Sequence, residues 1–471
     1  MIILKTDVNK YKDTKMQNIY NETTKNESLK KEYGLTRKII ENISREKNEP
    51  EWILNIRLKA LDTFNKLDNP NWGPDISYLD INKIATYVKP VNNEVRKWED
   101  VPSDIRNVFD KLGIPEAEKQ SLSGSGAQFD SEVVYHNLSE KLKSKGVIYT
   151  SFDKAVQEYP ELLKEYFSKA VPIHDHKFIA LHYALFSGGS FVYIPKGVKL
   201  DMPLQSYFRL NAPGAGQFEH TLIIVDEDAS MEFIEGCSAP GYNEINLHAG
   251  CVELFVKKNA YLKFSTIENW SKNMLNLNTK KCYVEENGKI EWIMGSFGSK
   301  VSMLYPLSVL NGVGATCEFT AISFAGEGQN LDTGLKVVHN APNTKTVVNS
   351  KSISAYGGVC TFRSNALVKK NANNSKLSLS CESLMLDSES RSDTIPVNTL
   401  ETNNVEFAHE AKIGKISEDA IYYLMTRGMT ESEAKALIVR GFAEPISNSF
   451  PVEYAVEMNR LIDLELEGTI G

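Results

Sequence analysis

The stretch Ala229-Ser230-Met231-Glu232-Phe233 begins with a small residue and runs as a short alternating strand to a charged residue followed by an aromatic one. The same arrangement returns three times, with the aromatic residues spaced 31, 28 and 27 residues apart. Self-similarity at about 20–50 residues, built from strands alone, is typical of solenoids, whose coils bury their apolar positions against one another. The returning segments are Ala260–Phe264, Gly288–Trp292 and Ala315–Phe319.

The segment from Gly188 onward decides the fold class, because helical periodicity stops there and short alternating runs follow one another. We predict a mainly β core over residues 186–414, with the parallel β-helix as its natural closed form. An antiparallel sandwich remains the alternative. It is weakened because hairpin signals are few, namely Asn287-Gly288 and Asn311-Gly312.

Helical patterns flank this core on both sides. Residues 1–185 are predicted as a helical N-terminal domain that begins with a loosely packed arm over residues 1 to about 30. Residues 415–471 are predicted as a C-terminal helical domain. Ser417 is its first helix cap, and Thr430 to Glu433 forms a capping box for the next helix. These last helices are expected either to cap the solenoid or to bind a partner.

The composition narrows the possible functions. The chain has 471 residues, of which 42% are hydrophobic and 24% charged, which is ordinary for a globular protein with a large core. A net charge of −8 without a basic block argues against nucleic-acid binding. No apolar run is long enough to cross a bilayer and no signal-peptide layout is present, so we expect a soluble, cytoplasmic protein without membrane contact.

The cysteines are concentrated in one part of the chain. All six lie between Cys237 and Cys381, and none forms a C-x-x-C pair, so neither a disulfide framework nor a closed structural zinc site is expected. Cys237 follows a short strand, and we interpret Gly236-Cys237-Ser238 as a turn that presents a reachable thiol. The alternative is a small hydrophobic side chain that closes the turn.

The histidines give weaker signals. His174, His176 and His182 fit no metal-binding spacing and are interpreted as helix-terminal and packing residues. His409 and Glu410 are adjacent. In a strand they would point to opposite faces, whereas in a turn they could converge and suit iron.

Several long motifs, in order along the chain, resemble the SufB branch of the SufB/SufD family, the scaffolds of the Suf iron–sulfur assembly system. The resemblance covers nearly the whole chain. The motifs are Tyr207–Asn211 (YFRLN), Gly216–Thr221 (GQFEHT), Ile234–Pro240 (IEGCSAP), Thr266–Trp270 (TIENW), Asp393–Pro396 (DTIP) and His409–Lys412 (HEAK).

This resemblance implies a right-handed parallel β-helix between two helical domains. It also implies a non-enzymatic scaffold that receives sulfur as persulfide from a cysteine desulfurase and its carrier. The implied partners are a SufC-type ABC ATPase, docked on the C-terminal helices, and either a SufD-type paralogue or a second copy of the chain. ATP hydrolysis would belong to the partner ATPase.

The resemblance also implies individual site residues. Cys237 matches the family's sulfur acceptor, and Glu268 stands where some relatives have a glutamine. The positions that match residues of the sulfur path are Arg209, Asn211, Trp270 and Lys280.

At the other end of the core, His409 and Glu410 match the residues that hold iron and the transient cluster, of 4Fe–4S or 2Fe–2S type. Ser390 stands where some relatives carry a second functional cysteine, so Cys381 becomes the candidate thiol ligand and Cys360 a weaker one. Reduced flavin has been associated with the family, but this sequence shows no flavin motif.

Two other functions remain open for a β-helix. A polysaccharide-acting enzyme would need a groove rich in Asp, Arg and Lys, and a structural β-helix for adhesion would not need concentrated cysteine. Both would normally be exported, which the sequence does not suggest.

Overall fold

The structure, a computed structural model, describes residues 30–89, 95, 97–103, 105–107, 122–450 and 452–466. Most of the predicted N-terminal arm lies outside these residues. The described α-helices are α1 (Arg37–Glu46), α2 (Glu51–Lys66), α3 (Glu140–Lys143), α4 (Phe152–Glu158), α5 (Pro160–Tyr166), α6 (Lys177–Leu185), α7 (Glu418–Thr426), α8 (Glu431–Ser447) and α9 (Val452–Leu466).

The strands are more numerous and most are short. They are β1 (Lys30–Tyr33), β2 (Ala85–Lys89), β3 (Gly124–Phe129), β4 (Glu132–Leu138), β5 (Ile148–Ser151), β6 (Gly189–Ile194), β7 (Leu204–Arg209), β8 (Gly216–Gln217), β9 (His220–Val225), β10 (Ser230–Ser238), β11 (Asn246–His248), β12 (Cys251–Val256), β13 (Tyr261–Asn269), β14 (Met274–Asn276), β15 (Thr279–Val284), β16 (Lys289–Phe297), β17 (Val301–Leu304), β18 (Leu307–Leu310), β19 (Thr316–Ala325), β20 (Asn330–His339), β21 (Lys345–Ser354), β22 (Val359–Val368), β23 (Ser375–Met385), β24 (Arg391–Leu400) and β25 (Val405–Lys415).

The core is a β-solenoid of about 8 turns. Each turn adds one strand to a first sheet, ordered β25-β23-β21-β19-β16-β13-β10-β7-β3-β4, and one or two strands to a second sheet that runs from β5 to β24. Neighbouring coils pair in parallel, which confirms the predicted parallel β-helix and rules out the antiparallel sandwich. Among the described strands of these two sheets, antiparallel pairs occur only at the N-terminal end, between β3 and β4 and between β5 and β6.

The repeated aromatic residues stack inside the solenoid, as the period indicated. Phe233, Phe264, Trp292 and Phe319 occupy one register position on successive strands and are buried. The ring centroids of Phe233 and Phe264 are 5.6 Å apart, and those of Phe264 and Trp292 are 5.4 Å apart. Burying each such side chain contributes about 1.5–3 kcal/mol, so this ladder forms a large part of the core.

The Asn-Gly pairs form solenoid corners instead of hairpins. Asp228, Asn259 and Asn287 take left-handed backbone conformations, with φ of 59°, 56° and 53°, at the same corner of successive coils. Asn259 Nδ2 donates to Asp228 Oδ1 at 2.9 Å, and Asn287 Nδ2 donates to Asn259 Oδ1 at 3.2 Å. Asparagine and aspartate tolerate this conformation, so either residue can turn the chain at this corner of each repeat.

The N-terminal region packs on the outer face of the second sheet. Helices α1, α2, α4, α5 and α6 share one apolar cluster with residues of β9 and β12. Five strands, β1 to β5, accompany these helices and were not predicted by the helical periodicity. Two of them extend the solenoid itself, because β3 pairs in parallel with β7 and β5 pairs with β6.

The C-terminal helices cover the outer face of the first sheet. Residues of α8 and α9 pack against Ile267, Ile293 and Phe324 in one apolar cluster. The predicted caps are present: Ser417 Oγ accepts from Ala420 N, and Thr430 and Glu433 make both bonds of a capping box. Among the described helices, none is both long and apolar enough to span a bilayer.

Candidate functional site

Cys237 points into the solenoid near its N-terminal end. It shares a strand face with Met231, Phe233 and Glu235, because alternate residues of β10 point the same way. The predicted Gly236-Cys237-Ser238 turn is wrong. Parallel pairing with β7 and β13 holds these residues in the strand through Ser238, and the Cys237 side chain is only 1% exposed.

A charged chamber lies next to this thiol, between the two sheets. Lys280 from β15 donates to Glu235 Oε1, and both side chains are fully buried. Thr266 Oγ1 donates to the same oxygen at 3.2 Å, and the Lys280 ammonium lies 5.0 Å from the centre of the Phe264 ring. Burial alone would favour a neutral amine, but the carboxylates of Glu235 and Glu268 outweigh it and raise the pKa of Lys280.

Glu268 extends the chamber along the coil. It is the cross-strand neighbour of Cys237 on β13 and accepts from Asn276 Nδ2 at 2.7 Å. Asn276 in turn contacts His248 Nδ1 at 2.7 Å, and His248 Nε2 lies 2.5 Å from Glu219 Oε1. Burial raises the pKa of Glu268, whereas Glu219 outweighs burial and raises the pKa of His248.

These surroundings keep Cys237 protonated. Burial raises the pKa of its thiol well above the ordinary value, and the carboxylates of Glu235, Glu219 and Glu268 raise it further. The Lys280 ammonium acts in the opposite direction. The sulfur of the isolated chain is therefore a thiol and a poor nucleophile, until burial or charge around it changes.

Three further expected path residues lie close by. Trp270 is buried with Cys237 in one apolar cluster, and its ring centroid is 4.6 Å from that of His248. Arg209 and Asn211 lie on the adjoining coil. Arg209 donates to Ser238 Oγ at 3.0 Å, and the backbone of Asn211 donates to Asp130 Oδ1 at 2.6 Å.

Several polar atoms in the chamber are buried without a hydrogen-bond partner among the described residues. They are Glu235 Oε2, Glu268 Oε1 and Trp270 Nε1. Most buried polar groups in folded proteins are paired, so these three atoms from neighbouring coils are candidates to hydrogen bond with a polar guest.

A ladder of polar side chains begins at Cys237, and its residues were not identified from the sequence. The next strands carry Glu268 and then serines in the same register. Each of these residues lies four positions after the residue that aligns with Phe233 on its own strand. The sequence repeat could therefore have been used to find them. Ser352 and Ser383 are hydrogen bonded at 2.8 Å. The serines are Ser296, Ser323, Ser352 and Ser383.

Cys381 and His409 meet at the far end of the same interior. Cys381 Sγ lies 3.9 Å from His409 Nε2. The strand of Cys381, β23, is five strands away from β10, the strand of Cys237, which is roughly 24 Å at the usual strand spacing. Burial raises the pKa of the Cys381 thiol to about 12.

Glu410 does not join this pair. Because β25 is a regular strand, its side chain points away from His409 and forms an exposed ion pair with Lys412 at 3.0 Å. Ser390 lies in the loop before β24, where its hydroxyl donates to Asp387 at 2.9 Å and accepts from Gly357 N at 3.1 Å. Cys360 lies deeper, and burial raises the pKa of its thiol to about 11.

The predicted residues therefore form two groups in one interior. Cys237, Glu268, Trp270 and Lys280 lie at the N-terminal end, and Cys381 and His409 at the C-terminal end. Thiols and imidazoles are ligands that suit iron and zinc, and a buried line of hydroxyls connects the two groups.

Comparisons with known proteins cover nearly all of this architecture. Residues 208–442 match the family described as "SUF system FeS cluster assembly, SufBD core domain", and residues 41–206 match "SufBD protein N-terminal region". The chain is 50% identical over 443 residues to proteins named iron-sulfur cluster assembly SufBD family protein from Staphylococcus saprophyticus, Staphylococcus haemolyticus and Staphylococcus epidermidis. Each alignment covers 94% of this chain and 95% of the relative.

Proposed function

The chain belongs to the SufBD family of iron–sulfur cluster assembly proteins, and we propose that it is the scaffold on which sulfur and iron meet. Cys237 receives sulfur from a persulfide, the solenoid interior conducts it, and Cys381 with His409 holds iron at the other end. The chain itself hydrolyses no ATP. We propose that it works in the cytoplasm, where its six free cysteines stay reduced.

The sulfur step is a thiol–persulfide exchange without net oxidation. The Cys237 thiolate attacks the outer sulfur of a donor persulfide R–S–SH, and a new S–S bond forms on Cys237. The S–S bond of the donor breaks, and its electron pair leaves with the donor thiolate. Arg209, Asn211 and Trp270 would orient the incoming group, and Lys280 would stabilise the anionic sulfur.

The observation that carries this proposal is the buried, charged chamber around Cys237. Glu235, Glu268 and Lys280 are costly to bury, and the unpaired Glu235 Oε2, Glu268 Oε1 and Trp270 Nε1 are not needed for packing. Such groups persist where an ionic or polar guest uses them. The sulfur leaves Cys237 when an external thiol reductant reduces the persulfide: the S–S bond breaks, hydrosulfide is released, Cys237 returns to a thiol and the reductant becomes a disulfide. The hydroxyl ladder would then solvate the hydrosulfide at each coil.

The raised pKa of Cys237 adds a condition. The thiol must become a thiolate before it attacks, so docking of the donor has to admit water or bring positive charge near it. We propose that the desulfurase or its sulfur carrier does this at the adjoining coil, and that the SufC-type ATPase opens the solenoid as it hydrolyses ATP.

The C-terminal end supports the proposed partners. Among the described strands, β24 pairs only with β22 and β25 only with β23, which leaves two unpaired strand edges. Val397 and Ile413 are about half exposed there. We propose that a SufD-type paralogue or a second copy covers these edges. A constant monomer mass over a concentration series with and without the paralogue would contradict this.

The ATPase docking site is proposed on α7. Tyr422 and Tyr423 are 71% and 55% exposed, and large exposed aromatic side chains commonly anchor partners. Deleting the helices would also uncover the apolar outer face of the first sheet, so a surface variant is the sharper test. Tyr422→Ser/Tyr423→Ser should lose co-purification with the ATPase while the fold is kept, and retained binding would exclude this surface.

Persulfide loading of Cys237 tests the central proposal. Purified protein is incubated without oxygen with a desulfurase, its carrier and radiolabelled cysteine, and the label is located by mass spectrometry of non-reduced peptides. Cys237→Ser should reduce the label to background, whereas Cys282→Ser, which removes another buried interior thiol, should not. Undiminished label on Cys237→Ser would refute the assignment.

A further inference from the structure

A second group of metal-ligating side chains lies outside the interior, between α6 and the outer face of the second sheet. His220 and Cys251 are direct neighbours on β9 and β12, and His182 faces them from α6. All three are buried, and one ligand atom from each lies within 4.8 Å of the other two. The sequence does not predict this group because α6, β9 and β12 are far apart in the chain.

The outer nitrogen of each imidazole faces an oxygen atom. His182 Nδ1 is 2.9 Å from Ala249 O, and a carbonyl oxygen can only accept, so Nδ1 carries the proton. His220 Nε2 is 3.2 Å from Glu253 Oε2, close enough for electrostatic pairing although not aligned as a regular hydrogen bond. A carboxylate there favours a proton on Nε2.

Backbone hydrogen bonds fix Glu253 in place. Its carboxylate accepts from the backbone N–H groups of Ser168, Ala170 and Val171 at 2.7–2.8 Å. These three hydrogen bonds fix the position of the carboxylate beside His220 Nε2. Partners of this kind are the usual outer contacts of metal-bound histidines, which they orient towards the ion.

The inner nitrogens of the two rings face each other. His182 Nε2 and His220 Nδ1 are 3.0 Å apart, which is a hydrogen-bond distance when His220 carries its proton on Nδ1. When that proton lies on Nε2, beside Glu253, both inner nitrogens present lone pairs to a metal ion. A tetrahedral zinc with Zn–N bonds of about 2.0–2.1 Å separates two nitrogens by roughly 3.3 Å, so only a small shift is needed.

We propose that His182, His220 and Cys251 form a metal site for a borderline-soft divalent cation of the Zn²⁺ class, with a small exogenous ligand in the fourth position. Two imidazoles alone could simply share a proton. The nearby Cys251 thiol favours a metal ion instead, because a thiolate is a strong ligand for such cations and contributes nothing to a shared proton. Binding replaces the thiol proton, so each ion bound releases one proton to solvent.

The surroundings fit a structural ion. His220 is packed among aromatic rings, with Phe152 at 4.6 Å and Phe167 at 4.8 Å between centroids. The ion would fasten α6 to the second sheet. The site lies on the opposite face of that sheet from the sulfur path, so it stands independently of the proposed function.

Cobalt titration tests this site. The full chain carrying Cys381→Ser/His409→Gln, which removes the interior candidate, is stripped with a chelator and titrated with Co²⁺ without oxygen. We expect about one equivalent with intense tetrahedral d–d bands and a sulfur-to-cobalt charge-transfer band, displaced by Zn²⁺. Cys251→Ser should abolish the charge-transfer band, and His182→Gln should abolish binding.

Matched controls separate the site from its surroundings. Cys282→Ser removes a buried interior thiol, and His339→Gln removes a buried histidine hydrogen bonded to Thr344 and Thr346; both should bind cobalt as the parent does. If the His182 or Cys251 variants fail to fold, X-ray absorption of the zinc-loaded parent must show two nitrogens and one sulfur. A folded parent that binds no cobalt, or variants that bind it unchanged, would overturn the proposal.

Discussion

The two ends of the solenoid interior use similar side chains in opposite surroundings. At the N-terminal end, Cys237 is enclosed by coils on both sides and shares its chamber with the buried pair Glu235–Lys280. At the C-terminal end, Cys381 and His409 lie beside β25, most of whose residues are exposed and whose outer edge is unpaired among the described strands. The first end is enclosed by coils of the chain, and the second ends in a strand edge that is unpaired among the described strands.

Under the proposed function, this difference would let one repeated coil serve two tasks. Charges buried at the closed end are expensive, so they are paired and held in one geometry. At the open end the thiol and imidazole sit where a second protein can add ligands or remove a finished cluster. A scaffold needs both properties, since sulfur must not react early and the product must leave.

The largest effect on stability is expected from a substitution at the closed N-terminal end of the interior. Lys280→Met leaves Glu235 and Glu268 buried without their cation, which should reduce the free energy of unfolding by about 3–5 kcal/mol. Denaturant unfolding followed by circular dichroism measures this loss.

The matched double variant Glu235→Gln/Lys280→Met removes both charges and should recover most of that stability. If the single and double variants are equally destabilised, the loss comes from packing and the ion pair is not the cause.

A smaller effect is expected at Glu465, a buried carboxyl outside the interior that has no ion pair among the described residues. Burial raises its pKa to about 7, so the stability it contributes is complete below about pH 4.5 and is lost as the pH rises through 7. Glu465→Gln should therefore raise the free energy of unfolding at pH 8 by roughly 1–3 kcal/mol, and by nothing at pH 4.5.

Unfolding of wild type and Glu465→Gln at pH 4.5, 6 and 8 checks this slope. A gain that is the same at every pH would mean that the carboxyl is not neutral in the folded state.

The smallest effect on stability is expected at the open end. His409→Gln removes a half-buried side chain from the last coil and should change the free energy of unfolding by no more than about 1 kcal/mol. Iron retained after anaerobic reconstitution with iron and sulfide should nevertheless fall strongly, and Glu410→Gln should leave it unchanged because that side chain faces away. If wild type, His409→Gln and Glu410→Gln retain the same amount of iron, His409 is not an iron ligand.

Much of the fold could be predicted from the sequence because the repeat of the coils is visible as a regular spacing of aromatic residues. The recurring Phe233, Phe264, Trp292 and Phe319 gave the register of the coils, and Thr430 with Glu433 gave the start of α8. Of the site, the resemblance supplied Cys237 and Lys280, which the structure brings into one chamber. The strands of the N-terminal region were missed because their short segments alternate too little to stand out from the helices.

What the sequence determined by itself is the local and periodic part, namely the coils and the helix caps, which are set by interactions between residues at fixed spacing. Tertiary structure alone decided that Gly236–Ser238 continues a strand, because neighbours on both sides supply its hydrogen bonds. It also decided that Cys381 meets His409, that Glu410 turns away, and that His182 meets His220 and Cys251. These contacts depend on which strands and helices lie side by side, and chain spacing does not encode that.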